Sequence, residues 1–362
     1  MRFRVLFLML LAVVAGSAAR AQDAPTPISA GSVRELALAR TVRYADFAPF
    51  PDGDAAQPLS GWFTLSPDGT KVAFVIHGGV RIIRVDGAQI PDVGWTRSEA
   101  TVIDAHWDDA SQRLAVIYQD ADGYALSLWS EAATTTLTVN EVGVPVRVWF
   151  DAEIPDYVWI EVTPAPEDPD RSGFQVVRLD LSDPQNDAPL TLPTGPEHDF
   201  DSLVRIGRIP APLAITATFT GAARRWDLQT GEITAEVELP ATPTFGRVNE
   251  TNGVEFAWRD EASTALHLLN FETGADKIIA PLDGDYIQAL LLTPDASVIL
   301  AVHRGDTPDL TAWITASGEE VALGRYDTSV CSRVPDMVQL ARNGSRLVIG
   351  CDGGYQVWEI SE

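Results

Sequence analysis

Side chains able to do chemistry are scattered along this chain rather than grouped. The five histidines, His77, His106, His198, His267 and His303, include no pair at the helical or hairpin spacing that presents two zinc ligands together. Only two lysines occur, Lys71 and Lys277, so Schiff-base or lysine-base chemistry has little to draw on. Acidic side chains number 51, too many for two to be nominated as a glycosidase pair before the fold places them. No G-x-S-x-G elbow, H-E-x-x-H helix or glycine-rich phosphate loop occurs. Asp120-Ala121-Asp122-Gly123 starts like a calcium loop but lacks the third acidic position and the distal glutamate, so a tight hairpin is expected. These residues predict no catalytic group, no cofactor and no metal ligand.

Charge and the amino terminus narrow the setting. Fifty-one acidic against 26 basic residues give a formal charge of −25 over 362 residues, which repels polyanions and excludes nucleic acid as the expected partner. Residues 1–21 place Arg2 and Arg4 before an apolar run from Val5 to Ala15 and end in Ala19-Arg20-Ala21, the small-x-small pattern of a secretory signal peptide. The run of eleven residues falls short of the ~20 that a spanning helix needs, so cleavage is expected and a permanent anchor is not. Losing Arg2, Arg4 and Arg20 would move the charge from −25 to −28 in a soluble chain starting at Gln22, placed in the periplasm or outside the cell.

The elements that position these groups come from one repeated unit. It reads as a short apolar strand, an Asp/Asn/Gly/Pro turn, a second apolar strand, a polar loop, and a third strand carrying Trp or an aliphatic residue. The first copy is FTLSPDGTKVAFVIHGGVRIIRVDG, residues 63–87, and six further copies start near Asp104, Val148, Val204, Val248, Leu290 and Val338. The third-strand markers Ile83, Trp129, Leu179, Trp226, Leu269, Trp313 and Trp358 are spaced 46, 50, 47, 43, 44 and 45 apart. A strand-only unit of about 40–50 residues is the size of a propeller blade. Trp107, Trp149, Trp159 and Trp258 fall inside strands and are expected in the core, whereas Trp62 and Trp95 are less constrained.

The segments SPDGTKVAF, RRWDLQTG and VQLARNGSRLVIGCDGGYQVWEI resemble WD-repeat (WD40-like) propellers of the divergent bacterial type, over residues 33–362. The turn Ser66-Pro67-Asp68-Gly69 and the dipeptide Trp226-Asp227 match that pattern best. No repeat carries the family's Gly-His dipeptide and one alone keeps Trp-Asp, so its Asp-His-Ser-Trp hydrogen-bond network is not expected to assemble. The resemblance implies an all-β, seven-bladed β-propeller that binds protein partners or a ligand without catalysis. Two alternatives stand beside it: a hydrolase or lyase with a central-channel site, and a relative of the propeller part of the periplasmic translocation protein TolB.

The last copy ends after its third strand, leaving that blade one strand short. Residues 33–42 alternate enough to fill the gap as an outer strand, after a linker at 22–32, because an open ring would expose an aggregation-prone edge. Cys331 then enters the last repeat and Cys351 ends its second strand, so both reach one face and a disulfide is expected. His77 and His303 end the second strands of the first and sixth repeats on that same face. Arg304-Gly305-Asp306 is read as a turn. The loop from Thr163 to Gly173, carrying Glu167, Asp168, Asp170 and Arg171, is the expected partner-contacting excursion, since long loops on rigid scaffolds tend to carry function.

Overall fold

Apolar runs of five to eight residues, cut by turns rich in Asp, Asn, Gly and Pro, build antiparallel sheets and almost nothing else. A computed structural model of the chain describes residues 25–46, 58–76, 79–87, 89–96, 100–132, 134–139, 144–151, 154, 156–163, 175–182, 201–207, 213–218, 221–244, 250–260, 262, 264–282, 287–303, 309–331, 335 and 337–361. They form seven sheets. Blade one contains Pro58–Leu65, Lys71–Ile76, Gly79–Arg84 and Gln89–Thr96; blade two contains Thr101–Trp107, Arg113–Asp120, Gly123–Ser130 and Thr134–Thr138. Blade three shows Val144–Phe150, Tyr157–Thr163 and Gln175–Asp180. Blade four runs from Asp201–Gly207 through Leu213–Thr218 and Ala222–Asp227 to Glu232–Glu238; blade five from Glu250–Thr251 through Glu255–Arg259 and Ala265–Asn270 to Ala275–Pro281. Blade six comprises Ile287–Leu292, Val298–His303, Asp309–Ile314 and Glu319–Arg325.

Blade seven draws on both ends of the chain. Met337–Leu340, Leu347–Cys351 and Gly354–Ile360 are completed by Leu36–Arg43, which pairs antiparallel with Gly354–Ile360 from Leu36 opposite Ile360 to Arg43 opposite Gly354. Any side chain at Gly354 would overlap the Val42 carbonyl, so this close approach requires glycine. The strand begins three residues later than the sequence implies. Val33–Glu35 forms a 3-10 turn, held by Val33 N–H to the Ser29 carbonyl at 2.9 Å, which lets Val33 and Ile28 bury completely between blades six and seven.

The seven marker residues occupy one register position. Each lies on a third strand opposite a buried second-strand partner: Ile83 faces Val72, Trp129 faces Leu114, Leu179 faces Val158, Trp226 faces Ala214. Leu269 faces Phe256, Trp313 faces Ile299 and Trp358 faces Leu347 in the remaining three. A continuous apolar cluster fills every joint between neighbours. Blade seven joins blade one through Val348, Tyr355 and Val357 against Phe63, Val72 and Phe74, with the Phe74 and Tyr355 rings 5.3 Å apart. Trp107 and Trp129 of blade two close on Ala73 and Ile82 of blade one, and Trp149 and Trp159 of blade three meet Trp226 of blade four. Trp107, Trp149, Trp159 and Trp258 are all buried, as their strand positions predict.

First strands of successive blades touch from one to two, two to three, four to five, five to six, six to seven and seven to one, which puts them around the axis. Fourth strands face outward; Glu232–Glu238 alternates exposed and half-buried along its whole length.

Candidate functional site

An antiparallel meander sends its first-to-second turns to one face of the disc and its second-to-third connections to the other. On the first face the turns are short, three to six residues, and tied to one another. In blade one, Ser66 Oγ donates to Asp68 Oδ1 at 2.7 Å and the Lys71 N–H donates back to Ser66 Oγ at 2.8 Å. Thr293, Asp295 and Val298 repeat that circuit in blade six. Burial pushes both aspartates up, but hydrogen bonds from Ser66 and Thr70, and from Thr293 and Ser297, outweigh it and leave each carboxyl below its ordinary range.

Cations then bridge the turns. Lys71 Nζ donates to the Ser111 carbonyl of blade two at 2.8 Å, and Arg346 Nη1 donates to the Gly69 carbonyl of blade one at 2.8 Å. Arg113 reaches Asp156 of blade three at 3.5 Å. Lys71, Arg113 and Arg346 hold the same place, one residue before the second-strand partner of the marker. The other lysine, Lys277, caps the Thr315 and Ala316 carbonyls of blade six at 2.5 and 3.0 Å. Both lysines of the chain are thus structural staples, a role the sequence reading did not assign.

The opposite face carries connections of unequal length. Second-to-third connections run from two residues to eleven, and blade-to-blade ones from four to fourteen where both flanking strands are described. Asp120 pairs directly with Gly123 across the two-residue hairpin expected there. Thr163 and Gln175 stand on this face, and the loop between them, with Glu167, Asp168, Asp170 and Arg171, lies outside the described residues. So do His77, His198 and Arg304-Gly305-Asp306. His303 ends its strand here with its ring 6.2 Å from Trp313. Cys331 and Cys351 meet on this face at disulfide distance, Cα atoms 4.8 Å apart. Beside them the Gln356 amide clamps Asp327, accepting from its N–H at 2.9 Å and donating to its carbonyl at 2.8 Å.

Around the axis, polar side chains of one blade close the unpaired edge of the next. Gln339 of blade seven accepts from the Leu65 N–H at 2.7 Å and donates to the Phe63 carbonyl at 3.0 Å. Asp104 of blade two accepts from the Val148 N–H of blade three at 2.8 Å. Burial pushes the Asp104 carboxyl up to about 7, against the Val148 and Ala105 N–H groups and Arg147, which favour its charged form. Glu161 is also raised by burial, although Arg147 Nε stands 3.7 Å from its Oε2. Two carboxyls and one guanidinium therefore share the joint between blades two and three, and burial holds both carboxyls above their ordinary range. No motif marks this cluster in the sequence. Its one legible signal is a carboxylate amid the apolar inner strand Thr101–Trp107.

Three buried indoles find partners inside single blades, and in blade three Trp159 Nε1 donates to Asp151 Oδ2 at 3.0 Å. Trp226 Nε1 donates to Thr216 Oγ1 at 2.9 Å, so one link of the side-chain network thought absent from the repeats does form in blade four. In blade five, Trp258 Nε1 donates to Asp276 Oδ1 at 3.0 Å while His267 Nδ1 lies 2.7 Å from Oδ2 and stacks on the indole at 4.0 Å. Among the described residues, no three His, Cys, Asp or Glu side chains group as metal ligands would.

No protein family pattern matches the chain. No curated protein is similar to it in sequence. Among solved structures it is similar to the β-propeller domain of Cps50 (Swd1) from Myceliophteria thermophila, at 12% identity over 90% of this chain and 100% of that one, with a TM-score of 0.61. It is likewise similar to a chain of the Mitotic Checkpoint Complex, at 13% identity over 100% of both, with a TM-score of 0.59. At such identities the likeness establishes the architecture: seven blades in one disc.

Proposed function

We propose that this WD40-like propeller is an exported, non-catalytic scaffold that binds protein partners through the face carrying its unequal connections. The observation that carries the reading is the difference between the two faces. One is stapled turn to turn by Lys71, Arg113, Arg346 and Lys277; the other holds the longest connections between described strands. One structural neighbour is itself a component of a protein complex, which supports protein partners in general. A charge of −25 favours a basic protein surface over nucleic acid. A cysteine pair at disulfide distance is compatible with export, and no helix among the described residues is long and apolar enough to cross a membrane.

The test is recovery of partners by the mature chain from its native extracytoplasmic fraction, repeated with Glu167, Asp168 and Asp170 replaced by serine. Recovery of a defined partner that the triple variant loses supports the scaffold. Turnover of a screened substrate, abolished by Asp104→Asn or Glu161→Gln, overturns it in favour of an enzyme with a channel site. That second reading has one observation behind it: two carboxyls raised by burial beside Arg147, Asp104 on the innermost strand of blade two and Glu161 on the second strand of blade three. Amino-terminal sequencing of exported material, expected to start at Gln22, tests the signal peptide.

A further inference from the structure

Six outer strands are described, and five of them are guarded. Blade one's carries Pro91 and Asp92, blade four's Glu232, Glu236 and Glu238, blade five's Asp276, Lys277 and Pro281. Blade six's has Glu319, Glu320 and Arg325, and the closing strand of blade seven has Arg40 and Arg43. Charges and prolines at these places are the usual means of stopping another strand from adding to a sheet. Blade two lacks them. Its outer strand is Thr134-Thr135-Thr136-Leu137-Thr138, with no charge, no proline and four β-branched residues in five.

This strand is an edge with its hydrogen-bonding groups turned outward. It pairs on one side with Gly123–Ser130 and, among the described residues, ends its sheet on the other. The Val139 N–H donates inward to the Tyr124 carbonyl at 3.1 Å, so by antiparallel alternation the amides of Thr134, Thr136 and Thr138 point away from the blade. Thr134, Thr135 and Thr136 are exposed. Acidic groups bracket the strand: Glu131, 66% exposed although 3.4 Å from Lys71, at one end, and the exposed Asp122 of the adjoining hairpin at the other.

We infer that the outer edge of blade two takes up an extended segment of a partner protein as a fifth, antiparallel strand, a segment of uncharged β-branched residues with a basic residue at each end. This rests on the scaffold reading and names the chemistry of one docked segment. Backbone hydrogen bonds supply the affinity of such added strands, and flanking charges supply the selectivity. A second copy of this chain is the poorer occupant. Antiparallel self-pairing about Thr136 would set the Glu131 end of one copy against the Asp122 end of the other, acid on acid, between two chains of charge −25.

The probe is a capped synthetic peptide, Arg-Thr-Val-Thr-Val-Thr-Arg, titrated against the full mature chain by fluorescence anisotropy at low salt, with light scattering of the chain alone alongside. Two variants report on the edge. Thr136→Lys introduces the guard the other blades use, and Thr134→Pro removes one outward amide at the first residue of a strand, where proline is tolerated. Thr134→Pro should keep the unfolding midpoint of the parent, Thr136→Lys should lower it only by the loss of the 3.0 Å contact between the Thr136 and Ser127 hydroxyls, and each should weaken the peptide at least tenfold. A Glu-ended peptide should bind at least tenfold more weakly than the Arg-ended one. No saturable binding, or equal binding to parent and both variants, overturns the inference. A dimer of the chain alone that Thr136→Lys dissolves overturns it in favour of self-association. Retention by Thr136→Lys of a partner that the 167/168/170 variant loses, with no peptide binding to the parent, discards the edge while leaving the scaffold standing.

Discussion

Replacing Asp104 by asparagine should stabilise the protein, and most at neutral to alkaline pH. The Asp104 carboxyl accepts the Val148 N–H at 2.8 Å across the joint between blades two and three, a bond that an amide oxygen makes equally well. Burial is the largest influence on this group and pushes it from 3.8 to about 7; the Val148 and Ala105 N–H groups and Arg147 oppose the rise, and Glu161 adds to it. A carboxyl raised in the folded state keeps its proton there while the unfolded chain has already lost it. The stability this proton confers is complete below pH 4 and drains away as pH rises through about 7. At about 1.4 kcal/mol per pH unit, the interval from 3.8 to about 7 sets a ceiling of about 4 kcal/mol on the burden carried at pH 8. Arg147 lies half-exposed beside the site and softens this, so a gain of about 1–3 kcal/mol is expected for Asp104→Asn at pH 8 and about a quarter of that at pH 4.5. Urea unfolding of both proteins at the two pH values measures it. Asp104→Leu is the control, since it strands the Val148 N–H and should lie about 1–3 kcal/mol below Asp104→Asn at every pH. If Asp104→Asn destabilises equally at pH 4.5 and pH 8, the carboxylate is needed charged and the reasoning fails.

Three other outcomes follow from the same contacts. Deleting residues 25–43 removes the buried Ile28, Val33, Leu36 and Val42, at about 1.5–3 kcal/mol each, a loss near the whole stability of a typical domain, so size-exclusion should show aggregate or unfolded chain. Lys71→Met should lower stability by about 1–2 kcal/mol in urea titration by stripping the Ser111 carbonyl of a charged donor, whereas lysine-to-arginine exchange there should recover much of it. Mass spectrometry without reductant should find Cys331 joined to Cys351, and replacing both by serine should cost about 3 kcal/mol, the entropy of a loop spanning 20 residues.

The ring was legible because a blade repeats its register as well as its length. The markers from Ile83 to Trp358 recur every 43–50 residues, and each faces the same second-strand position because each plugs the same kind of joint. The closing strand was legible from an absence, a last repeat one strand short. Its first turn was not, because Val33 obeys strand alternation and only tertiary burial against blades six and seven bends it into a 3-10 turn. Lys71, Arg113 and Arg346 precede apolar runs that align in the repeats, so their shared role was available to a register argument and was missed by one about motifs. Asp104 was not available. Its character comes from a backbone amide 44 residues away on the next blade, and nothing local to the sequence announces that.

The asymmetry of the disc has a physical origin in the same contacts. A first-to-second turn lies between neighbouring turns, so lengthening it would break the Lys71–Ser111, Arg346–Gly69 or Arg113–Asp156 bridges and the joint beneath them. The second-to-third connections differ in length from two residues to eleven while the blades keep one register, and extra length in such a loop adds only loop entropy, which grows slowly. Variation is thus cheap on one face and costly on the other. A chain that keeps one register across seven blades yet varies its connections on a single side holds that side out, and the proposed partner contacts fall there and on the one outer edge without a guard among the described strands.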